Sequence, residues 1–283
     1  MMRSILPFCL LLALSMSLPA IASAAEAEPP AGNATVKAAN PKQPADSATA
    51  KPNLPERSDG VSSSVPTELP VPAFHPTDAY RPQELRGWKL LVLDELIEKH
   101  PQTWEEVREV LDAQLLGIVR MVPAKALAKM RQVPIWIEHD NPKVKCMCYH
   151  PSRQWLSSNG FNPEKAGAVE LGNCRNFLGW TKHQPWMVLH ELAHGYHHRF
   201  LPDGYDNKEI AEVYRRAMDS KRYEAVLYYN GETKRAYAAN NPQEYFAELT
   251  EAWFGTNDFF PFVRPEVRRH DPEGADLLER LYQ

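Results

Sequence analysis

Apolar residues recur every three or four positions between residues 186 and 200, which predicts a helix with one apolar stripe. The residues of this stripe are Trp186, Leu189, Leu192, Ala193, Tyr196 and Phe200. Pro185 stands directly before it, and proline is favoured where a helix begins. The polar residues His190 and His194 fall on an adjoining face, one helical turn apart.

A second helix is predicted in the C-terminal part of the chain. Asn241 is a favourable N-cap residue, and Pro242 suits the first helical position. The apolar side of this helix consists of Tyr245, Leu249, Ala252 and Trp253. Glu244, Glu248 and Glu251 share another side, where carboxylates repel one another unless a cation or a partner holds them. The alternative is that Glu244 only caps the helix and the other two glutamates form a solvated face.

The remaining apolar pattern indicates a mixture of strands and helices. Strands are predicted at Trp88–Leu93, 133–137 and Ala168–Leu171, and helices at Thr103–Ile118, Ala124–Met130, Asn207–Met218 and Pro272–Leu281. Residues 141–160 are predicted to be mostly loop. These elements predict an α+β fold.

The N-terminal residues have the pattern of a secretory signal peptide. Residues 1–24 contain Arg3, then the apolar stretch Ile5–Leu18, then small residues suited to cleavage. The stretch is short and interrupted by prolines, which argues against a membrane span. The chain is therefore predicted to be exported, to the periplasm or the outside of the cell.

Composition divides the rest of the chain into two parts. Residues 25–72 are rich in Pro, Ala and Ser and lack a hydrophobic period, so we predict a disordered tether there. Residues 73–283 are predicted to form the folded domain. The formal net charge of the 283-residue chain is -4, which argues against nucleic acid as its main partner.

Three cysteines follow the predicted signal peptide: Cys146, Cys148 and Cys174. Because an exported protein meets oxidising conditions, Cys174 is expected to pair with one of the other two. The alternative is a metal site that uses both thiolates of the closely spaced pair.

The sequence from His190 to His194 carries the strongest chemical signal in the chain. Two histidines four residues apart on a helix can bind one metal ion, while Glu191 projects beside them toward a metal-bound water. The alternative is a buried helix whose histidines only make hydrogen bonds. His198 lies on the same face, but it is about 12 Å from His190 along the helix, too far to share an ion with it. The third ligand must then come from elsewhere in the chain.

These residues together resemble a known family. The order His190, Glu191, His194, then Tyr237, then the helix Glu244–Glu248 is similar to the catalytic domain of anthrax lethal factor and of the Pro-Pro endopeptidases. Those proteins are gluzincin-type zinc metallopeptidases. The resemblance implies a zincin-like domain in which a twisted sheet packs on an active-site helix and a glutamate helix.

The resemblance also implies roles for individual residues. His190, His194 and Glu244 would bind Zn²⁺, and Glu191 would act as general base. Tyr237 would donate its phenolic hydrogen to the oxyanion of the intermediate, although a packing role is the alternative. Behind the ligands, Glu248 would orient a ligand histidine, and His198 would lie in the same outer layer or at the surface.

The sequence therefore predicts an exported zinc-dependent endopeptidase acting on a peptide or protein substrate. By analogy with zincins, the strand Ala168–Leu171 is expected to form a sheet edge that pairs with the substrate main chain. Two alternatives remain: a catalytically idle zinc-binding or interaction module at the cell surface, and a zinc hydrolase of non-peptide substrates.

Overall fold

A computed structural model describes residues 74–283 of the chain. This part has a mixed α+β architecture, as predicted, with helices around a mixed sheet. The signal peptide predicted at 1–24 and the tether predicted at 25–72 lie outside the described residues.

The central sheet has five strands in the order β1-β2-β3-β5-β4. The strands are β1 (Tyr80–Leu85), β2 (Trp88–Leu93), β3 (Ile135–Ile137), β4 (Met147–His150) and β5 (Ala168–Leu171). Strands β2, β3 and β5 run parallel to one another, whereas β1 and β4 are antiparallel to their neighbours. The sheet is therefore mixed, with an antiparallel strand at each edge.

The prediction that Ala168–Leu171 forms a sheet edge is wrong. Strand β5 is buried along its length and pairs with β3 on one side and with β4 on the other. The edge is β4, which lies in a stretch predicted to be loop. Any substrate main chain that pairs with this edge would therefore meet β4.

Helices surround the sheet on both sides. They are α1 (Asp94–Lys99), α2 (Pro101–Met121), α3 (Ala124–Met130), α4 (Arg153–Ser158), α5 (Cys174–Trp180), α6 (Met187–Phe200), α7 (Lys208–Asp219), α8 (Pro242–Phe254), α9 (Arg264–His270) and α10 (Pro272–Leu281). A small hairpin of β6 (Val226–Leu227) and β7 (Thr233–Lys234) separates α7 from α8. None of the helices within residues 74–283 has the length and apolar character needed to cross a membrane.

Several predicted elements match the observed bounds. Strand β2 and helices α3 and α10 begin and end where the pattern placed them. Helix α2 begins at Pro101 and not at Thr103, because proline occupies the first helical position and Thr103 already lies in the first turn. Helix α6 begins at Met187, with Trp186 as its N-cap residue.

Helices α6 and α8 pack directly on each other, and α6 also contacts β4, α2 and α3. Nearly all of α6 is buried, including its polar residues from His190 to His194. Helix α8 starts as predicted: the side chain of Asn241 accepts a hydrogen bond from the Glu244 backbone N–H at 2.8 Å, and Pro242 is the first helical residue. This cap places Glu244 in the first turn of α8, beside α6.

Trp186 joins three helices at the start of α6. Its ring lies against Gly117 of α2, where an added Cβ would come within 3.1 Å of it. The ring also fills the space beside Gly255, the C-cap residue of α8. Both glycines therefore allow close approach, and the indole fixes where α6 begins relative to the end of α8.

Replacing Gly255 by alanine should destabilise the protein. The new Cβ would fall inside the indole of Trp186, and relieving such an overlap typically costs about 1–3 kcal/mol. Urea unfolding should show a lower midpoint at an unchanged m-value. Gly179→Ala in α5 is the matched control, because nothing lies within 4 Å of its added Cβ. Equal unfolding midpoints for the two variants would contradict the proposed packing.

A buried network of charged groups covers the sheet face opposite α6. Lys165 donates to Glu170 Oε1 at 2.6 Å and also pairs with Glu138, which in turn accepts a hydrogen bond from Tyr80. The second oxygen of Glu170 is 2.6 Å from His150 Nε2. Burial alone would raise the pKa of Glu170, but the bond to His150 and the charge of Lys165 outweigh it and lower this pKa to about 2.

This network should make folding stability depend on acidity. The pKa of Glu170 is about 2 in the folded protein and 4.5 at its ordinary value, so the folded state binds the proton more weakly. The contribution of Glu170 is complete above pH 4.5 and is lost as pH falls through 2. Urea titrations over this range should show falling stability, and Glu170→Gln should show a flatter dependence. A parallel dependence in both proteins would contradict the assignment.

The predicted disulfide is wrong: Cys146, Cys148 and Cys174 are all buried free thiols. Cys174 donates to the backbone oxygen of Glu138 at 3.2 Å, and Cys146 lies 3.4 Å from the Met187 sulfur. Cys146 and Cys148 belong to different apolar clusters, and no potential metal-binding group within residues 74–283 contains both.

Candidate metal centre

Helices α6 and α8 bring three potential ligand atoms together. His190 Nε2 lies 3.1 Å from His194 Nε2 and 3.1 Å from Glu244 Oε2. His194 Nε2 lies 3.4 Å from the same carboxylate oxygen. The two histidines are close because they are one turn apart on α6, and Glu244 meets them because the Asn241 cap starts α8 at that point.

These three atoms form an arrangement that needs a positive charge at its centre. His190 Nδ1 lies 2.7 Å from the Glu251 carboxylate, which favours a hydrogen on Nδ1. The other ring nitrogen, Nε2, faces the nitrogen of His194 and the oxygen of Glu244. Three converging acceptors repel one another unless a proton or a cation lies between them.

The distances between these atoms fit a tetrahedral metal ion. Zinc bonds to nitrogen and oxygen are about 2.0–2.1 Å long, which places neighbouring ligand atoms about 3.3 Å apart. The three observed separations lie between 3.1 and 3.4 Å. Two imidazoles and one carboxylate also suit zinc and leave one coordination position open for chemistry.

Glu244 is held in its ionised form at this place. Burial alone would raise the pKa of its carboxyl group, but the charge and hydrogen bonds of His194 and His190 outweigh burial, and the pKa falls well below its usual range. Its position in the first turn of α8 adds the favourable field of the helix N-terminus. The carboxylate is thus ready to bind a cation.

Two further glutamates of α8 lie behind His190. Glu251 Oε1 is 2.7 Å from His190 Nδ1, whereas Glu248 Oε1 is 3.6 Å away, beyond normal hydrogen-bonding distance. Glu248 instead accepts a hydrogen bond from Asn257 at 3.1 Å. The sequence resemblance assigns the orienting role to Glu248, but the structure gives the shorter contact to Glu251. Both carboxylates are buried.

Removing the charge of Glu251 should therefore weaken zinc binding more than removing that of Glu248. Partners of this kind fix the orientation and basicity of a ligand histidine, and their loss typically weakens metal affinity about 10–100-fold. Competition with a chelating dye would measure the zinc dissociation constant of Glu251→Gln, with Glu248→Gln as the matched variant. A larger loss in Glu248→Gln would restore the role to that residue.

Glu191 points away from α8, toward the sheet edge. Its Oε2 accepts a hydrogen bond from the backbone N–H of Tyr149 in β4 at 2.8 Å, and the side chain is nearly buried. The carboxylate therefore faces β4 from the helix that also carries His190 and His194.

Tyr237 also reaches the centre. It begins the 3-10 helix Tyr237–Ala239, which packs against α8, and its hydroxyl lies 3.4 Å from Glu244 Oε1. Its ring is 6.3 Å from that of His190. The structure therefore places a phenol beside the Glu244 carboxylate.

His198 is not among the groups that contact the ligands. It is partly buried, and its Nδ1 lies 2.8 Å from the hydroxyl of Tyr149. The neighbouring His197 packs between Tyr205 and Phe246, and burial lowers its pKa to about 3. Both histidines join α6 to surrounding elements, and neither adds to the ligand set.

The convergence of His190 with His194 could be predicted from motif spacing, and that of Glu244 from the resemblance, whereas two other contacts could not. The N–H of Tyr149 that holds Glu191 leaves no signal in a sequence, because any residue supplies a backbone N–H. The carboxylate of Glu251 was visible on the glutamate face, but its contact with His190 depends on how the helices cross.

Comparison with protein-family models, curated proteins and solved structures finds no match to this chain.

Proposed function

We propose that the chain is an exported zinc-dependent metallopeptidase, with a zincin-like fold and the gluzincin ligand set of two histidines and one glutamate. The observation that carries the proposal is the convergence of His190 Nε2, His194 Nε2 and Glu244 Oε2 within 3.4 Å of one another. The presence of Glu191 beside this centre favours hydrolysis over simple metal storage, since a glutamate that binds no metal serves no storage purpose.

The residues around the centre have complementary tasks in this proposal. A zinc ion held there supplies a Lewis acid and an activated water. Glu191 takes a proton from the attacking water and later delivers it to the leaving amine. Tyr237 donates its hydroxyl hydrogen to the oxygen that gains negative charge, and Glu251 keeps the His190 ring in place.

The edge strand provides a way to hold an extended peptide. In the pairing of β4 with β5, the Gly172 N–H donates to the Cys146 oxygen. Because successive residues of an antiparallel strand direct their backbone groups to opposite sides, those of the next residue, Met147, point away from β5. A peptide main chain could add to the sheet there, next to Glu191. Internal cleavage of an extended segment is consistent with this arrangement and makes an endopeptidase the favoured form.

Zinc content and peptide cleavage should be measured together on the purified full chain. The wild type is expected to hold one zinc ion per chain and to cleave a degenerate peptide library. Glu244→Ala should lose or greatly weaken both properties, because it removes the only ligand from α8. Glu279→Ala, an exposed glutamate of α10, is the matched control.

The possible results separate the alternatives. Zinc binding without peptide cleavage in the wild type would favour an idle binding module, and cleavage of ester or other amide probes would then indicate a different hydrolase. Tight zinc binding by Glu244→Ala would show that the third ligand lies elsewhere.

A further inference from the structure

One face of α6 is directed at the edge strand β4. Glu191, Gly195 and His198 are spaced by four and three residues, so they form one stripe along the helix, next to the stripe of the two histidine ligands. All three contact the same residue of β4, which is Tyr149. Tyr149 therefore spans two turns of the helix that carries the metal ligands.

The backbone of Tyr149 reaches the first position of this stripe. In the antiparallel pairing of β4 with β5, Cys148 and Glu170 are partners, as are Tyr149 and Val169. The Gly172 N–H donates to the Cys146 oxygen, so Cys146 and every second residue after it direct their backbone groups toward β5. Tyr149 lies between these positions, and its backbone groups therefore point away from β5. Its N–H donates instead to Glu191 Oε2 at 2.8 Å.

The side chain of Tyr149 reaches the other two positions. A Cβ on Gly195 would lie 3.2 Å from a ring carbon of Tyr149 and 2.8 Å from Val133, so the missing side chain lets β4 approach α6. The Tyr149 hydroxyl bonds to His198 Nδ1 at 2.8 Å. The ring of Tyr205 packs on His198 from the far side, with centroids 4.9 Å apart.

We propose that Tyr149 is the positioning residue for Glu191. Its backbone N–H fixes one carboxylate oxygen and leaves the other to take the proton of the attacking water. Its phenol, anchored on His198 across Gly195, fixes the strand segment that carries this N–H. The inference rests on the function proposed above and adds to it how the base is aimed, by a residue outside the set His190, His194 and Glu244.

The kinetic test removes the anchor and leaves the N–H. In the full zinc-loaded chain, Tyr149→Phe should lower kcat roughly tenfold, because small misplacements of a catalytic group are costly, while KM and zinc content stay unchanged. His198→Ala should do the same, and the double variant should be no worse than either single one, since both remove one contact. Tyr196→Phe is the matched control: it loses a 2.8 Å hydroxyl bond on the same helix, to Leu281.

A second measurement links the effect to Glu191. Tyr149→Phe should not reduce the residual hydrolysis of Glu191→Gln any further, because there is then no base to aim. A general structural loss would lower activity in both backgrounds. An active wild type whose kcat is unaffected by Tyr149→Phe, or a loss that persists in Glu191→Gln, would overturn the inference and leave the proposed function standing.

Amide hydrogen exchange tests the contact without any activity. The Tyr149 N–H should be protected in the wild type and should lose protection in Glu191→Ala, while Cys148, whose N–H faces β5, stays protected in both. An unprotected Tyr149 amide in the wild type would overturn the inference. A wild type that binds zinc but cleaves no peptide would overturn the proposed function, and with it the role of Tyr149 in hydrolysis.

Discussion

Glu191→Gln is expected to lower kcat for peptide hydrolysis by about 10²–10⁴-fold while zinc stays bound. The carboxylate of Glu191 is not among the three converging ligand atoms, so its replacement leaves the metal site intact. Glutamine has the same size and can still accept the hydrogen bond from the Tyr149 N–H. What it lacks is the ability to take up a proton from water.

The measurement is a comparison of initial rates and zinc content for the wild type and the variant on one peptide substrate. Glu279→Gln, an exposed glutamate, provides the same chemical change away from the centre and should leave both quantities unchanged. Hydrolysis at the wild-type rate in Glu191→Gln would remove this residue from the mechanism. Loss of zinc from the variant would show that Glu191 supports the metal site itself.

Lys165→Met is expected to lower the free energy of unfolding by about 3–5 kcal/mol. The ammonium group of Lys165 is 1% exposed and is shared by two carboxylates, Glu138 and Glu170, which are also buried. Methionine keeps the apolar stem but removes the charge, and the two carboxylates are then buried close together without a cation. The penalty comes from these uncompensated charges more than from the lost ion pairs.

Urea unfolding at neutral pH would measure the change, with Lys125→Met as the matched control on the exposed face of α3. The control should shift stability by no more than about 0.5 kcal/mol. Adding Glu170→Gln to Lys165→Met should recover part of the loss, because one of the stranded charges is removed. If Lys165→Met unfolds like the control, the network contributes little to stability.

Local signals explain why the glutamate helix could be predicted from the sequence. The N-cap preference of Asn241 and the place of Pro242 at the first helical position are properties of a few adjacent residues. The structure contains both features, and the cap sets the position of Glu244. The same applies to α10, where Pro272 opens the helix and Leu281 ends it. Where the residues that determine a helix are adjacent in sequence, the sequence pattern was sufficient to predict that helix.

The edge strand could not be predicted, because its determinants are distant in sequence. Met147–His150 has four residues, all buried, so the alternation that marks a half-exposed strand is missing. It is a strand because it pairs with β5, and it displaces β5 from the edge for the same reason. The disulfide prediction failed in a similar way, since a count of cysteines says nothing about where each thiol lies in the fold.

The choice between Glu248 and Glu251 also depends on tertiary structure. The two residues are three apart on α8 and fall on the same side of the helix, so sequence spacing treats them alike. The packing of α8 on α6 brings Glu251 Oε1 to 2.7 Å from His190 Nδ1, whereas Glu248 Oε1 is 3.6 Å from it and Glu248 accepts a hydrogen bond from Asn257. The way in which the two helices pack therefore decides which glutamate contacts His190, and a sequence motif carries no information about this.

The two edges of the sheet are protected from association with other chains in different ways. An open edge offers unpaired backbone groups on which another strand can assemble. Strand β1 carries Pro82 and exposed charged residues, which discourage such pairing. Strand β4 has no proline, but the Glu191 carboxylate occupies the outward N–H of Tyr149, so an added chain would pair only with the neighbouring backbone groups of the strand. Shortening Glu191 would therefore leave the Tyr149 N–H without this acceptor as well as remove a base.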